Sequence, residues 1–424
     1  MSLPSPVAPA TVTRGIVAAA VAGNAIEFYD FVSYAYFAVY IGKAFFPASS
    51  EYLSLLASVS VFGVGFFARP LGAWLIGMYA DRRGRRPALL LTMGLMTAGT
   101  LGLALTPSYA DIGVAAPLLL VATRLVQGFA LGGDVGPSTA FLLEIAPPHR
   151  RAFFTSWQSA SQGVSAFVAG ALGLAITHAL SPAQMQQWGW RLPFALALLL
   201  VPVSLVLRRG MPETLGAAAR DDGAAAGRPG SAGFGHLRVV VLGLLVVAGG
   251  TIATYVCTYM ATYATVTLRM PPTTAMAATM AVGASLVLGA LAGGWWSDVS
   301  GPGWPALAPR VGLLVLAPAG LQRLVAQPSL AMLLGVCAIL GALTGMTSAA
   351  AIYLLSERLA ATRRAAGLAL AYAAATAVFG GTTQAVVTWL IAFTGSPIAP
   401  AWYASATGLA SGAALVMLLR PRAA

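Results

Sequence analysis

Apolar runs about twenty residues long recur along the whole chain, each of the length an α-helix needs to cross roughly 30 Å of hydrocarbon. They read at 16–41, 53–78, 87–106, 113–143, 152–179, 192–207, 238–266, 273–297, 311–327, 330–355, 365–394 and 401–419. Twelve spans leave little chain outside a bilayer, so the sequence predicts an all-α membrane protein. Gly and Pro inside them are no objection, because neighbouring helices satisfy freed backbone groups. Composition agrees: of 424 residues 58% are hydrophobic and 8% charged, too little polar surface to cover a soluble globule.

The spans form two sets of six. In the stretch from Gly77 to Arg86, Gly77, Asp81 and Gly84 have the spacing of Gly294, Asp298 and Gly301. Glu144 with Arg150, Arg151 and Ala152 is likewise matched by Glu357 with Arg363, Arg364 and Ala365. The expected organisation is an N-terminal half over 1–208, a cytoplasmic linker over 209–237 rich in Gly, Ala, Arg and Asp, and a C-terminal half over 238–424. Two membrane-embedded halves in parallel repeat point to a transporter that rocks around a central site.

The net charge of +12 lies on one membrane face. Eighteen of the 24 basic residues, Arg310 counted among them, fall on the side of the termini, against four (Lys43, Arg191, Arg269 and Arg323) on the other, with Arg69 and Arg124 inside the membrane. The positive-inside rule then puts both termini in the cytoplasm. No basic patch interleaved with aromatics is present, so nucleic acid is not an expected partner. The expected partners are the lipid bilayer, protons and a small-molecule substrate, and a monomer is expected. Cys257 and Cys337 lie in apolar spans as packing residues, and neither a disulfide framework, a metal cluster nor a cofactor is expected. The first dozen residues carry no cleavage pattern, so the first span is expected to stay as helix one.

Ionisable groups inside apolar spans are costly unless paired or hydrated, which makes each a candidate for function. They are lopsided: Glu27 and Asp30 in helix one, Arg69 in helix two, Arg124 and Asp134 in helix four, and after residue 238 almost nothing but Arg323. Asn24, Glu27, Asp30 and Tyr34 share one helical face, expected to line a cavity. Arg124, Gln127, Leu131 and Asp134 form a second stripe. Arg124 and Asp134 stand about 15 Å apart along the helix, too far to pair, so each needs another partner. Asp30, Asp134 and Glu27 are the candidate proton carriers. Arg124, Arg69, Gln127, Gln158, Gln162, Tyr255, Tyr259 and Gln384 are the candidate substrate ligands, although Ser, Thr and Gln also serve simply as glue between membrane helices. The loop of Gly77, Asp81, Gly84, Arg85 and Arg86 has no preceding strand and no phosphate cradle, so a gate that bridges helix ends is expected there. Asp298 is its weaker second-half counterpart, because Val299, Ser300, Pro302 and Gly303 replace the basic residues.

These motifs resemble the major facilitator superfamily. Within it the chain resembles the metabolite:proton symporter family over nearly its full length, through Gly23-Asn24, Glu27, Tyr29-Asp30-Phe31, Arg69-Pro70-Leu71-Gly72, Arg124, Gln127-Gly128 and Gly132-Gly133. The segment from Phe154 to Gln162, followed by Trp188-Gly189-Trp190-Arg191, is most similar to bacterial citrate–proton symporters, and Phe379-Gly380-Gly381 and Pro400-Ala401-Trp402-Tyr403 extend the similarity. Three positions depart from the family pattern: Asp134 stands where Glu is common, Ala373 where Asn is common, and the second gate lacks basic residues. The resemblance implies proton-driven uptake across the bacterial inner membrane by alternating access; the function expected here is a twelve-helix symporter, not an enzyme, for a small organic acid of the di- or tricarboxylate class. A betaine symporter, with the helix-seven tyrosines caging an ammonium, and a proton-coupled exporter are the rival readings.

Overall fold

The computed structural model describes residues 14–48, 50–83, 85–209, 234–358 and 371–420. Helix α1 (Arg14–Tyr36) is followed by the short α2 (Ala38–Phe45). Helices α3 (Glu51–Phe67) and α4 (Arg69–Arg83) then form one span broken at Ala68. Pro70 has no N–H to donate back up the helix, so the ladder is interrupted here and Arg69 opens a new helix. Helices α5 (Arg85–Leu105), α7 (Ala115–Ile145), α8 (Arg151–Ala179) and α10 (Leu192–Arg209) complete the first six. Between them lie the short connecting helices α6 (Tyr109–Ile112) and α9 (Pro182–Gln187), begun by capping boxes at Ser108/Asp111 and Ser181/Gln184. The Ser108 N–H and O–H both donate to the Asp111 carboxylate and hold its pKa below the usual range.

The second six are α11 (Phe234–Thr262), ending in a π-helical turn at Tyr263–Thr267; α12 (Pro272–Ser300); α13 (Gly303–Ala326); α14 (Leu330–Arg358); a span over 371–394 made of a helical start, a π turn at Thr376–Gly380 and α15 (Gly381–Thr394); and α16 (Ala399–Leu419). Among the described residues no strand occurs, and ten helices are long and apolar enough to cross a membrane. The other two of the twelve are α1, long but carrying Glu27 and Asp30, and α10, whose apolar stretch is short. Large apolar side chains such as Phe67, Trp74, Leu199, Leu288 and Phe393 stand on the outside, the face that lipid covers. The expected linker falls mostly on 210–233, which lie outside the described residues; helix resumes at Phe234.

The halves meet along two seams. On one flank α8 runs against α12 over most of its length: a Cβ on Gly163 would sit 2.8 Å from the Gly283 carbonyl oxygen, and one on Gly170 would be 2.9 Å from the Met280 nitrogen. On the other flank α3 packs on α15, where a Cβ on Gly63 would come within 2.3 Å of the Gly381 carbonyl oxygen. Within the first half the approach is closer still, with a Cβ on Gly128 only 1.7 Å from the Gly65 carbonyl oxygen and one on Gly132 only 2.1 Å from that of Arg69. Small residues that let helix backbones touch are the usual adhesive of helices in lipid, where apolar burial offers no net drive. This contact fixes α3 and α4 against α7, and with them Arg69 against Arg124.

Gly128→Ala is therefore expected to wedge α3 from α7 and to destabilise the protein by about 1–3 kcal/mol or more, the cost of overpacking. Gly94→Ala, where a Cβ meets nothing within 4 Å, is the control expected to leave stability unchanged or raised. Thermal unfolding of the two variants in detergent checks both.

Candidate functional site

Arg124 and Asp30 are joined through an amide. Arg124 Nη1 donates to Gln127 Oε1 at 2.5 Å, Gln127 Nε2 donates to Asp30 Oδ2 at 2.5 Å, and Thr100 Oγ1 donates to the same oxygen at 2.8 Å. All four side chains are buried. The Thr100 hydroxyl also lies 2.9 Å from the Met96 carbonyl oxygen, and it has one proton for two acceptors. With Asp30 ionised it donates to the carboxylate; with Asp30 protonated the acid can donate to Thr100, which then turns to Met96. The site thus accommodates both protonation states of Asp30 without moving a heavy atom.

The guanidinium groups stand on aromatic rings. Arg124 Cζ lies 4.3 Å from the Tyr34 centroid and 4.8 Å from that of Phe31. Arg69 Cζ lies 3.9 Å from the Phe66 centroid and 4.7 Å from the same Phe31 ring. Two buried cations therefore share one ring, a cation–π arrangement that offsets part of their desolvation. Nε and Nη2 of both arginines have no acceptor among the described residues. Tyr255, from the other half, packs edge-on against Phe62 and Phe66 and sits beside Arg69.

Tyr255 is also part of the wall of a cavity of about 600 Å³ between the halves. Gln162 of α8, Thr251 and Thr254 of α11, Arg310 of α13, Ser348 of α14 and Tyr372 line it. Asn24, Glu27, Asp30 and Tyr34 are buried and are not among the residues that line this cavity. Asn24 donates to Ser161, Tyr34 donates to the Ser58 carbonyl at 3.2 Å, and Tyr255, packed on Phe62 and Phe66, adjoins the Arg69 guanidinium from the cavity wall.

The other predicted residues divide. Glu27 and Asp134 are buried and each is engaged with a partner. Gln158 accepts from Ser138 at 3.1 Å and donates to Asn24 at 3.4 Å, which joins α8 to α1 and α7. Tyr259 meets Thr388 at 3.0 Å and lines a separate cavity of about 630 Å³ with Lys43 and Glu51. Gln384 is buried beyond both cavities with no partner for either amide atom among the described residues. Cys257 and Cys337 are both free and buried.

Of the gate residues, Gly84 and the side chains of Asp81 and Arg85 lie outside the described residues, and Arg86 is exposed at the start of α5 and engaged. A Cβ on Gly77 would meet no atom of a described residue, whereas one on its counterpart Gly294 would be 2.6 Å from Ser156. Asp298 accepts from the backbone N–H groups of Ala152 and Phe153 at 2.9 and 3.0 Å, so a carboxylate of α12 caps the N-terminus of α8 across the seam.

Sequence reasoning missed Arg310. It was counted among loop arginines at the cytoplasmic face, but it lies two turns inside α13 and is buried at the cavity wall. The expectation that spans after 238 carry almost no charge is corrected accordingly. Pro305 sits in the first turn of α13, where proline is tolerated, and the helix runs on through Pro309 and Pro318.

The chain matches the model of the Major Facilitator Superfamily over residues 16–382. It is 39% identical to a citrate-proton symporter of Klebsiella pneumoniae over 92% of this chain and 88% of that protein. It is 33% identical to the alpha-ketoglutarate permease of Escherichia coli, with 95% and 93% covered. The fold is shared with the xylose transporter XylE from E. coli at a TM-score of 0.75 and 16% identity, covering 97% of this chain and 98% of that one.

Gln127→Leu cuts the link and leaves two buried charges short of a hydrogen bond each, which is expected to cost about 1–3 kcal/mol in thermal unfolding. Asp298→Ala uncaps α8 and is expected to cost about 1 kcal/mol. It should also speed maleimide labelling of a cysteine introduced at the buried Ser297; unchanged labelling would show that the cap does not hold the seam.

Proposed function

The chain belongs to the Major Facilitator Superfamily, and on that footing we propose that it is a proton-coupled symporter that takes up a small organic acid, a di- or tricarboxylate of the citrate class, by alternating access. One observation carries this reading: Arg69 and Arg124 stand on a single buried ring with Nε and Nη2 of each without acceptors among the described residues. Buried guanidinium N–H groups in a planar fork match a carboxylate. The similarity to a citrate-proton symporter and an alpha-ketoglutarate permease supports the same substrate class. A quaternary ammonium would be repelled by the same pair, which disfavours a betaine cage around Tyr255 and Tyr259.

Asp30 is the proton carrier of this scheme. Gln127 ties it to Arg124, so a substrate carboxylate on Arg124 competes with Gln127 for the guanidinium and weakens the field that keeps Asp30 ionised. Asp30 then takes its proton, with Thr100 as acceptor, and the loaded carrier crosses without an unpaired buried negative charge. Tyr255 and its aromatic neighbours part to admit the substrate from the cavity. Glu27 and Asp134 supply further buried carboxylates in the same half, and Asp298 with the Gly77–Arg86 segment, where α4 ends and α5 begins, latches the cytoplasmic ends. The protein is a multi-pass membrane transporter; we place it in the bacterial inner membrane with both termini in the cytoplasm, as the basic-residue count favours.

In proteoliposomes with an imposed pH gradient, the wild-type protein is expected to accumulate labelled citrate or 2-oxoglutarate up to about tenfold per pH unit for each coupled proton. Asp30→Asn should abolish accumulation and keep substrate exchange, and Asp134→Asn run in parallel compares the two carboxylates. Uptake of betaine with neither acid, or accumulation by Asp30→Asn equal to wild type, would overturn the scheme.

A further inference from the structure

We propose that Arg310 is a second anion-recognition residue of the transport site, one that takes a carboxylate of the substrate from the wall of the C-terminal half. The inference rests on the carboxylate-symport reading above and extends it to a residue in the other half. Arg310 is 3% exposed, and no carboxylate of a described residue pairs with it. Three neighbouring helices hold its inner edge. Nε donates to Thr347 at 3.2 Å, and Nη1 donates to Ser411 and, at 3.4 Å, to the Val246 carbonyl. These partners are themselves fixed, Thr347 by donating to the Ala306 carbonyl at 2.6 Å and Ser411 by donating to that of Val246 at 3.0 Å. The guanidinium is thereby oriented, and its full charge is left unneutralised.

Nη2 is the exception. It is buried, has no acceptor among the described residues, and belongs to a side chain on the wall of the 600 Å³ cavity. A Cβ on Gly250, another wall residue, would stand 3.9 Å from Nη2 and 3.4 Å from Ser348 Oγ. The absence of a side chain at Gly250 leaves room beside the free edge of the guanidinium. Behind Arg310 lies a second cavity of about 470 Å³ with a mostly apolar wall, where Thr347 is already taken by Nε, so the more polar side is where an anion fits. A buried guanidinium with three neutral partners and no counter-ion is a costly arrangement unless its countercharge arrives from outside. A substrate carboxylate on Nη2, with the Ser348 hydroxyl alongside, supplies it. Arg69 and Arg124 serve the N-terminal half in the same way, so an acid with two or more carboxylates has a cation in each half of the carrier.

The test is equilibrium binding to the purified full-length protein of citrate, 2-oxoglutarate and the monoamide of each, which match the acids in size with one charge fewer. Wild type is expected to prefer each acid over its amide. Arg310→Gln should bind the acids roughly tenfold to a hundredfold more weakly and lose most of that preference, whereas a merely structural loss would weaken acid and amide alike. Arg310→Lys should keep the preference at lower affinity. Gly250→Val leaves every charge in place and puts methyl groups beside Nη2; it should weaken acid binding about tenfold or more, and it carries the test if Arg310→Gln fails to fold. Wild-type acid-to-amide ratios in these variants would overturn the inference and leave the symport reading standing. Failure of the wild-type protein to bind either acid would overturn both.

Discussion

The contact of the Gly65 carbonyl with the bare Cα of Gly128 is what the rest of the first half depends on. Two helix backbones meet there with no side chain between them. Only at that separation can an arginine from α4 and one from α7 reach the same phenyl ring, and only then does Gln127, one residue before Gly128, reach across to Asp30. In a bilayer a charge that misses its partner by an ångström or two finds no water to replace it, so tight helix contact and tolerable electrostatics are one requirement. Glycine serves an electrostatic purpose here by way of steric emptiness.

The two halves divide the labour unequally. The first holds Asp30 and Arg124 in a hydrogen-bonded set, while the second supplies most of the cavity wall from hydroxyls, Tyr255, Tyr372 and Arg310, its one buried cation among the described residues. Tyr255 belongs to both worlds, with one edge against Phe62 and Phe66 and the other at the cavity. Such a division suits the proposed coupling, in which the buried Asp30 set feels a substrate in the cavity through Tyr255 and its aromatic neighbours. The thread from Arg124 through Gln127 to Asp30 is a physical route for that influence, short enough that each link is a single hydrogen bond.

Much of this was legible in the residues. Twelve apolar runs, the doubled spacing of Gly, Asp and Gly, and the three-residue interval from Arg124 to Gln127 were enough to expect the fold and half of the charge network. The partners across helices were not. Thr100 carries no pattern that marks it as the donor to Asp30, because that pairing exists only once α1, α5 and α7 are packed together. Phe31, Phe62 and Phe66 read as ordinary lipid-span residues, and nothing linear distinguishes a phenylalanine under a guanidinium from one facing lipid. Asn24, Glu27, Asp30 and Tyr34 do share a helical face, but periodicity only says which residues are neighbours, and packing decides that Asn24 meets Ser161 and Tyr34 the Ser58 carbonyl. Arg310 stands one residue before the apolar run that opens at 311, so the sequence leaves it on the side of the termini, and only the helix that starts at Gly303 carries it inside.

The Asp298 carboxylate that closes the end of α8 has one more consequence. Two backbone amides of one half are satisfied by a side chain of the other, so the seam cannot part while both remain dry. Separation leaves two donors and an anion that each require solvent. Opening on this flank is therefore a wetting event: water that already reaches the half-exposed Asp298 must follow to the two amides as the helices move.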